Sequence, residues 1–344
     1  MSARKTRSLL LTTALATTFA SSAAVAHWEG SRPDAHAPIG VMADHTHKTG
    51  EWMFSYRMMH MEMDGNRNGT DRISTSQVHS QFAVAPLRME MEMHMLGAMY
   101  APNDDVTLNI MVPYLKNSMD HVNAANAQFE TVGEGIGDVS LGGIFNLSSK
   151  HVDGEQPVQH RLLASLSLGL PTGKDDIRDH GLNPNMTMKL PYPMQVGSGT
   201  YNLMPGITYL GQQVNGNYSW GAQAMATIHT GTNDEGYSRG DKLQLTSWIA
   251  RLLSENVSGS VRITGQSWEG IDGQDSQLMP GNVQTANPAL LSGKRADLSL
   301  GLNVKVPGTG HRFAIEVGQP VWQDLDGPQL ETDMIITAGW QWAL

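Results

Sequence analysis

Apolar residues recur at every second position in one segment of this chain after another. Residues 296–306 set Ala296, Leu298, Leu300, Leu302, Val304 and Val306 on one face and Asp297, Ser299, Gly301, Asn303 and Lys305 on the other. Residues 160–170 repeat the pattern with Leu162, Ala164, Leu166, Leu168 and Leu170, and Val106, Leu108, Ile110, Val112 and Tyr114 make another apolar face. This is the period of a β-strand, and no long helical pattern competes with it. Twelve strands are predicted, at about 51–63, 84–101, 104–116, 136–148, 159–170, 199–213, 216–229, 241–254, 256–268, 295–306, 310–322 and 332–344, with boundaries good to roughly 2–4 residues. Short connections (101–104, 149–158, 214–216, 254–256, 307–310) alternate with long ones (64–83, 117–135, 171–198, 230–240, 269–294, 323–331). A soluble sandwich has no reason to sort loop length by parity. An even-stranded barrel in an outer membrane does, with short periplasmic turns, long extracellular loops and both termini inside. The expected fold is therefore an all-β transmembrane, antiparallel up-and-down barrel over residues 51–344.

The two ends of the chain agree. In the last strand Met334, Ile336, Ala338, Trp340, Trp342 and Leu344 share one face, while Ile335, Thr337, Gly339, Gln341 and Ala343 share the other. An apolar, aromatic face backed by a small or polar one suits a wall between lipid and water. At the N-terminus Arg4, Lys5 and Arg7 precede an apolar stretch, Leu9 to Phe19, and Ala24-Val25-Ala26 completes a cleavage site. Residues 1–26 are thus expected to be a secretory signal peptide, the stretch being short of the roughly 20 residues a membrane helix needs. Residues 27–50, which carry His27, His36, His45 and His47, are expected to form an N-terminal periplasmic segment.

Composition narrows the functional classes. The chain has 36 glycines, no cysteine and a net charge of −10, more negative once the leader is removed. No disulfide and no thiolate chemistry are available. An acidic exported protein is not expected to bind nucleic acid. The surroundings implied are outer-membrane lipid, the barrel-assembly machinery, and small solutes or metal ions, with a Gram-negative bacterium as the host.

Four stretches carry a family resemblance. Gly135-Ile136-Gly137-Asp138-Val139-Ser140-Leu141-Gly142, Leu168-Gly169-Leu170-Pro171-Thr172-Gly173, Gln195-Val196-Gly197-Ser198-Gly199-Thr200-Tyr201 and Asn233-Asp234-Glu235-Gly236-Tyr237-Ser238-Arg239-Gly240-Asp241 resemble the outer-membrane barrels grouped as MetA-pathway phenol-degradation or transporter-like proteins. Ala37-Pro38-Ile39-Gly40-Val41-Met42, His45-Thr46-His47-Lys48 and a methionine-rich first hairpin resemble one subgroup. The terminal strand also resembles the barrel-insertion signal, which usually ends in Phe or Tyr where this chain has Leu344. The resemblance implies a monomeric outer-membrane channel without a cofactor; a transient copper ion is suggested by the methionines and histidines, not by the resemblance. It does not define the cargo.

Methionine and histidine are the candidate chemistry. Of the 21 methionines, 13 fall between Met42 and Met119. Thioether and imidazole together suit copper, Cu(I) above all, while periodic methionine is also an adaptable apolar filler. On strand 1, Trp52, Phe54, Tyr56 and Met58 are assigned to lipid, leaving Met53, Arg57, Met59, Met61 and Met63 in the lumen. On strand 2, the cost of charge in lipid turns Glu90, Glu92 and His94 inward and Met89, Met91, Met93 and Met95 outward. The expected metal set is Met59, Met61, Met63, His94, Glu90 and Glu92; if strand 2 is turned the other way, it supplies the lumenal thioethers instead. Arg57, Asp138, Arg161, Arg262, Asp297, Lys305 and Glu316 are expected to line the pore, either as a selectivity array or as ion pairs bracing a narrow barrel. His79, His94, His121, His180 and His229 exist for catalysis, but no Gly-x-Ser-x-Gly run accompanies them. The sequence reads as a passive channel for small solutes, linked to copper or another metal ion. The alternatives are an uptake channel for small aromatic or hydrophobic compounds and, behind it, an outer-membrane hydrolase.

Overall fold

The computed structural model describes residues 28–344, so the expected leader lies outside the described residues. Eleven strands form the barrel wall: β1 (Trp52–Gly69), β2 (Val84–Asn103), β3 (Val106–Asn123), β4 (Ser140–Val152), β5 (Val158–Gly169), β6 (Tyr201–Gln213), β7 (Tyr218–Thr230), β8 (Lys242–Ser254), β9 (Val257–Trp268), β10 (Gly293–Lys305) and β11 (His311–Ala343). Each pairs antiparallel with its neighbour in sequence, and β11 pairs with β1 to close the ring. An odd number of antiparallel staves cannot close. β11 resolves this by reversing on itself: its residues 312–325 pair with β10 and 329–343 with β1, and Gly327 sits between at φ +94°. A residue with a Cβ is strained in that left-handed region, so a glycine suits the reversal. The wall thus has twelve staves, as the alternation of faces predicted.

The loop parity holds with one adjustment. Connections 104–105, 153–157, 214–217, 255–256 and 306–310 lie at one end, and 70–83, 124–139, 170–200, 231–241 and 269–292 at the other. The predicted long loop at 323–331 is instead a tight reversal within β11. Strands β1, β2 and β3 run 18, 20 and 18 residues, far past the roughly 9–11 that span a bilayer. The wall therefore rises beyond the lipid on this side. Segment Gln128–Ile136 pairs with the upper half of β3 and β4 with its lower half, so one stave is interrupted at residues 137–139.

The outer surface is apolar through the spanning band. Leu96, Leu108, Ile110, Leu166, Leu245, Ile249, Ile263, Leu300 and Val317 are exposed there. In a soluble monomer such a belt would be an aggregation hazard; here it is the face that lipid covers. Trp52 lies 4.7 Å from Tyr100 between ring centroids at the end of the wall that carries the short turns, consistent with an interfacial aromatic girdle.

Candidate permeation path and its two closures

The inner surface is built from two unlike walls. On β1, β2 and β3 the inward positions are Met59, Met61 and Met63, facing Met93, Met91 and Met89 in register, with Met119 opposite Met89 on β3. Residues directly opposite in an antiparallel pair project to the same face. Met53 on β1 and Met99 on β2 pair in the same way lower down. The remaining staves present hydroxyls, amides and charges inward: Thr208, Gln223, Thr246, Ser260, Thr264, Asn303 and Glu316 are all buried.

The register corrects the expected metal set. His94 pairs with Met58, Glu92 with His60 and Glu90 with Glu62, and Met58 lies on the outer face with Tyr56. His94 Nδ1 is 2.7 Å from the Tyr56 hydroxyl, and His60 Nε2 is 3.2 Å from Glu62 Oε1. Glu90, Glu92 and His94 therefore face outward, and Met89, Met91 and Met93 take their place beside Met59, Met61 and Met63. The argument from charge in lipid fails because the strands outrun the bilayer. Above Tyr56 the outer face changes from aromatic to charged, where Arg88 pairs with Glu90.

The predicted charged residues occupy three settings. Arg262 and Glu316 form a fork, Nε to Oε2 at 3.0 Å, and Arg295 binds Asp297 at 2.8 Å. Arg57 donates to Val41 O at 3.4 Å, Lys305 Nζ to Ser31 O at 2.8 Å, and the Arg161 guanidinium lies 5.3 Å from the Trp28 ring. All of these except the Arg295–Asp297 pair touch or lie close to the N-terminal segment. Asp138 stands apart at the stave interruption on the rim. It accepts from Gly173 N at 3.0 Å, Ser198 N at 2.9 Å and Ser198 Oγ at 2.6 Å, and so ties loops together instead of lining the barrel mid-wall.

That carboxylate is the centre of a knot made by the four family-like stretches. A Cβ on Gly173 would meet Gly137 and Gly197 backbone, so three chain segments touch where only hydrogen fits. Asn233 Nδ2 donates to Ser198 O at 3.2 Å, and Arg239 Nη2 reaches Gln195 O and Gly197 O at 2.7 and 2.8 Å. The knot fixes loop 170–200 as it folds inward, and Leu190 and Met194 of that loop pack on Met89 and Met119. Lys189, buried in the same loop, binds Asp275 at 2.5 Å and Glu235 at 2.6 Å, which joins it to the next two loops. Together these loops cap the extracellular end. Between cap and wall lies a cavity of about 510 Å³ lined by Phe129, Leu182, Met186, Met188, Leu278 and Met279 among others. A smaller one of about 170 Å³ opens on Met61, Met63, Met89, Met91 and Trp268.

The other end is closed by residues 28–50. The sequence places them on the periplasmic side and leaves open whether they plug the lumen; they lie within it. Ala37 and Val41 pack on Ile144, Leu163, Leu210 and Trp248. Polar inner-wall groups hold the backbone: Ser219 Oγ donates to Asp34 O at 2.7 Å, Gln223 Nε2 to Met42 O at 2.7 Å, and Arg312 to Pro33 O at 2.9 Å. A Cβ on Gly40 would collide with the Arg262–Glu316 fork. The physical reason is that the segment carries both apolar groups and unpaired backbone, and the lumen offers partners for each. Asp44 accepts from Ala37 N at 2.8 Å and lies 2.8 Å from His45 Nδ1. Burial works to raise the Asp44 carboxyl, but the adjoining His45 overrides it and holds the group well below the usual carboxylate range. Burial, reinforced by Arg312, holds His36 well below the ordinary imidazole value, and burial brings His47 down to about 3.

A closed antiparallel barrel with an apolar belt, a lumen filled from both ends and loop lengths sorted by side defines an outer-membrane β-barrel protein. The chain belongs to the family described as putative MetA-pathway of phenol degradation, whose model matches residues 70–313, more than half of its length. Among solved structures it is similar to an outer membrane channel from Pseudomonas putida F1, at 12% identity, TM-score 0.59, covering 87% of this chain and 97% of that one. It also matches the transport unit of the autotransporter AIDA-I from Escherichia coli (13% identity, TM-score 0.47, covering 88% and 93%) and a Pseudomonas aeruginosa FadL homologue (10%, 0.38, covering 91% and 93%). No curated protein matches the chain.

Proposed function

We propose that the protein is a passive outer-membrane channel for small solutes, that its path follows the methionine wall, and that the solute best matched to that wall is a soft metal ion, Cu(I). One observation carries this. On β1 and β2 the lipid face, where apolar filler is needed most, uses Trp52, Phe54, Tyr56, Leu96 and Tyr100 with Met58 as its one methionine, whereas most inward positions of the same two strands are methionine. If methionine served only as filler, it would not be sorted by face. Thioethers select Cu(I), and several weak ligands in series let an ion enter and leave.

A second reading has its own observation. The cavity of about 510 Å³ under the cap is lined mainly by Phe129 together with aliphatic and methionine side chains, and the family description refers to phenol degradation. Methionine also contacts aromatic rings favourably. One variant separates the two. Met59, Met61, Met91 and Met93 replaced together by Leu keep apolar volume and remove the sulfur. Copper uptake by cells or proteoliposomes should fall several-fold while passage of a small phenol is unchanged. Equal copper uptake in both proteins would sink the copper reading, and loss of phenol passage alone would favour the aromatic one. Deleting residues 28–50 should raise single-channel conductance in planar bilayers. A barrel that stays non-conducting after that deletion would contradict a channel altogether.

A further inference from the structure

The N-terminal plug carries a group of side chains that the permeation path does not use. His36 lies on one arm of the plug turn, and Asp44, His45 and His47 on the other. One donor atom from each of His36, Asp44 and His45 lies within 4.8 Å of the others. The His36 and His45 rings are 4.1 Å apart between centroids and the His45 and His47 rings 4.9 Å. Asp44, His45 and His47 are buried, at 7%, 5% and 8% exposure.

The ring nitrogens lack partners. Among the described residues, His36 Nδ1, His45 Nε2 and His47 Nε2 find no hydrogen-bond partner. Three buried nitrogens without partners, on rings spaced 4.1 and 4.9 Å between centroids, are costly, because a buried polar group forfeits its water. The hydrogen bond from His45 Nδ1 to Asp44 fixes the tautomer that leaves Nε2 as a lone pair. This is the arrangement in which a carboxylate orients a metal-binding imidazole. A cavity of about 550 Å³ bordered by Trp28, Glu29, His36, His45, His47 and Glu51 gives an ion a way in. Ligands on a tetrahedral ion at about 2.05 Å stand about 3.3 Å from one another, so His36, Asp44 and His45 need only a small contraction, and His47, whose ring adjoins that of His45, is the fourth side chain at hand.

We infer that His36, His45 and His47, with Asp44 as ligand or orienting partner, form a binding site for a borderline divalent transition-metal ion, Cu2+ or Zn2+, which staples the two arms of the plug. The set is imidazole and carboxylate, unlike the thioether wall, so it takes the divalent ion and not Cu(I). The inference does not depend on the solute that the channel passes.

The test uses the mature, detergent-folded protein, stripped with a chelator and given one equivalent of Cu2+. After desalting, the electron paramagnetic resonance spectrum should show nitrogen splitting from at least two imidazoles, and 15N-histidine labelling of the unaltered chain should change that splitting. His36→Asn with His45→Asn should lose the spectrum while the barrel keeps its heat-modifiable migration. The Met59, Met61, Met91 and Met93→Leu protein should retain it, so this site and the copper channel can fail separately. A copper-free protein after desalting, an oxygen-only spectrum, or no response to 15N-histidine would overturn the inference, and so would full binding by the folded double variant.

Discussion

At the scale of single residues, the inner charges hold the plug. Gly40 lies against the Arg262–Glu316 fork with no room for a Cβ. Gly40→Val should therefore displace the plug without touching the wall. The expected result is a rise in open-channel conductance toward that of the protein lacking residues 28–50, with unchanged migration of the folded barrel on gels. Conductance equal to that of the unaltered protein would show that the segment tolerates the extra volume. The fork itself is nearly buried, and removing one partner of such a pair leaves a charge uncompensated, a loss of about 3–5 kcal/mol. Glu316→Ala should accordingly lower the urea midpoint of unfolding from detergent.

At the scale of elements, the cap depends on Asp138. Its carboxylate accepts three hydrogen bonds from loop 170–200, and bonds to a charged acceptor contribute about 1.5–3 kcal/mol each. Asp138→Ala should free the loop while β4 and its neighbours stay paired. Limited proteolysis of intact cells should then cut within residues 171–198, where the unaltered protein resists. Lys189→Met, which strips the Asp275 and Glu235 partners, should expose the same loop. The reversal at Gly327 is a separate device. A side chain there is strained by its positive φ and meets Leu290, so Gly327→Val should destabilise the barrel by about 1–3 kcal/mol, read as a lower midpoint with strand content unchanged.

At the scale of the whole molecule, the barrel has two closures of different make. The periplasmic plug is held by polar wall groups and the extracellular cap by a glycine-lined knot and buried ion pairs. Removal of either alone should give partial opening, and conductance of the protein lacking residues 28–50 should rise further when Asp138→Ala is added. An increment no larger than that of the deletion alone would place the whole barrier at the plug. The apolar belt also predicts recovery of the protein in the outer-membrane fraction as a heat-modifiable band. A wholly soluble periplasmic pool would contradict the lipid-facing assignment.

The strands, their inward and outward positions on most staves, and the side on which each loop lies were legible in the sequence. They follow from a period of two and from turn chemistry, which are local properties. The family-like glycines and Asp138 were legible as motifs, but not as one knot, because Gly137, Gly173, Gly197 and Asn233 meet only after four distant segments are brought to one rim. The inward sets on β1 and on β9 to β11 could be read because one face of each is plainly apolar. On β2 both faces hold residues that lipid or lumen could accept, so pattern alone left two choices. The pairing of Met58 with His94 decided between them, since partners across a strand pair must share a face. Nor could residues 28–50 be placed by periodicity, for they have none. Their position is set by hydrogen bonds and packing offered from strands all round the barrel, and the meeting of His36 with Asp44 and His45 exists only because the lumen bends that segment back on itself.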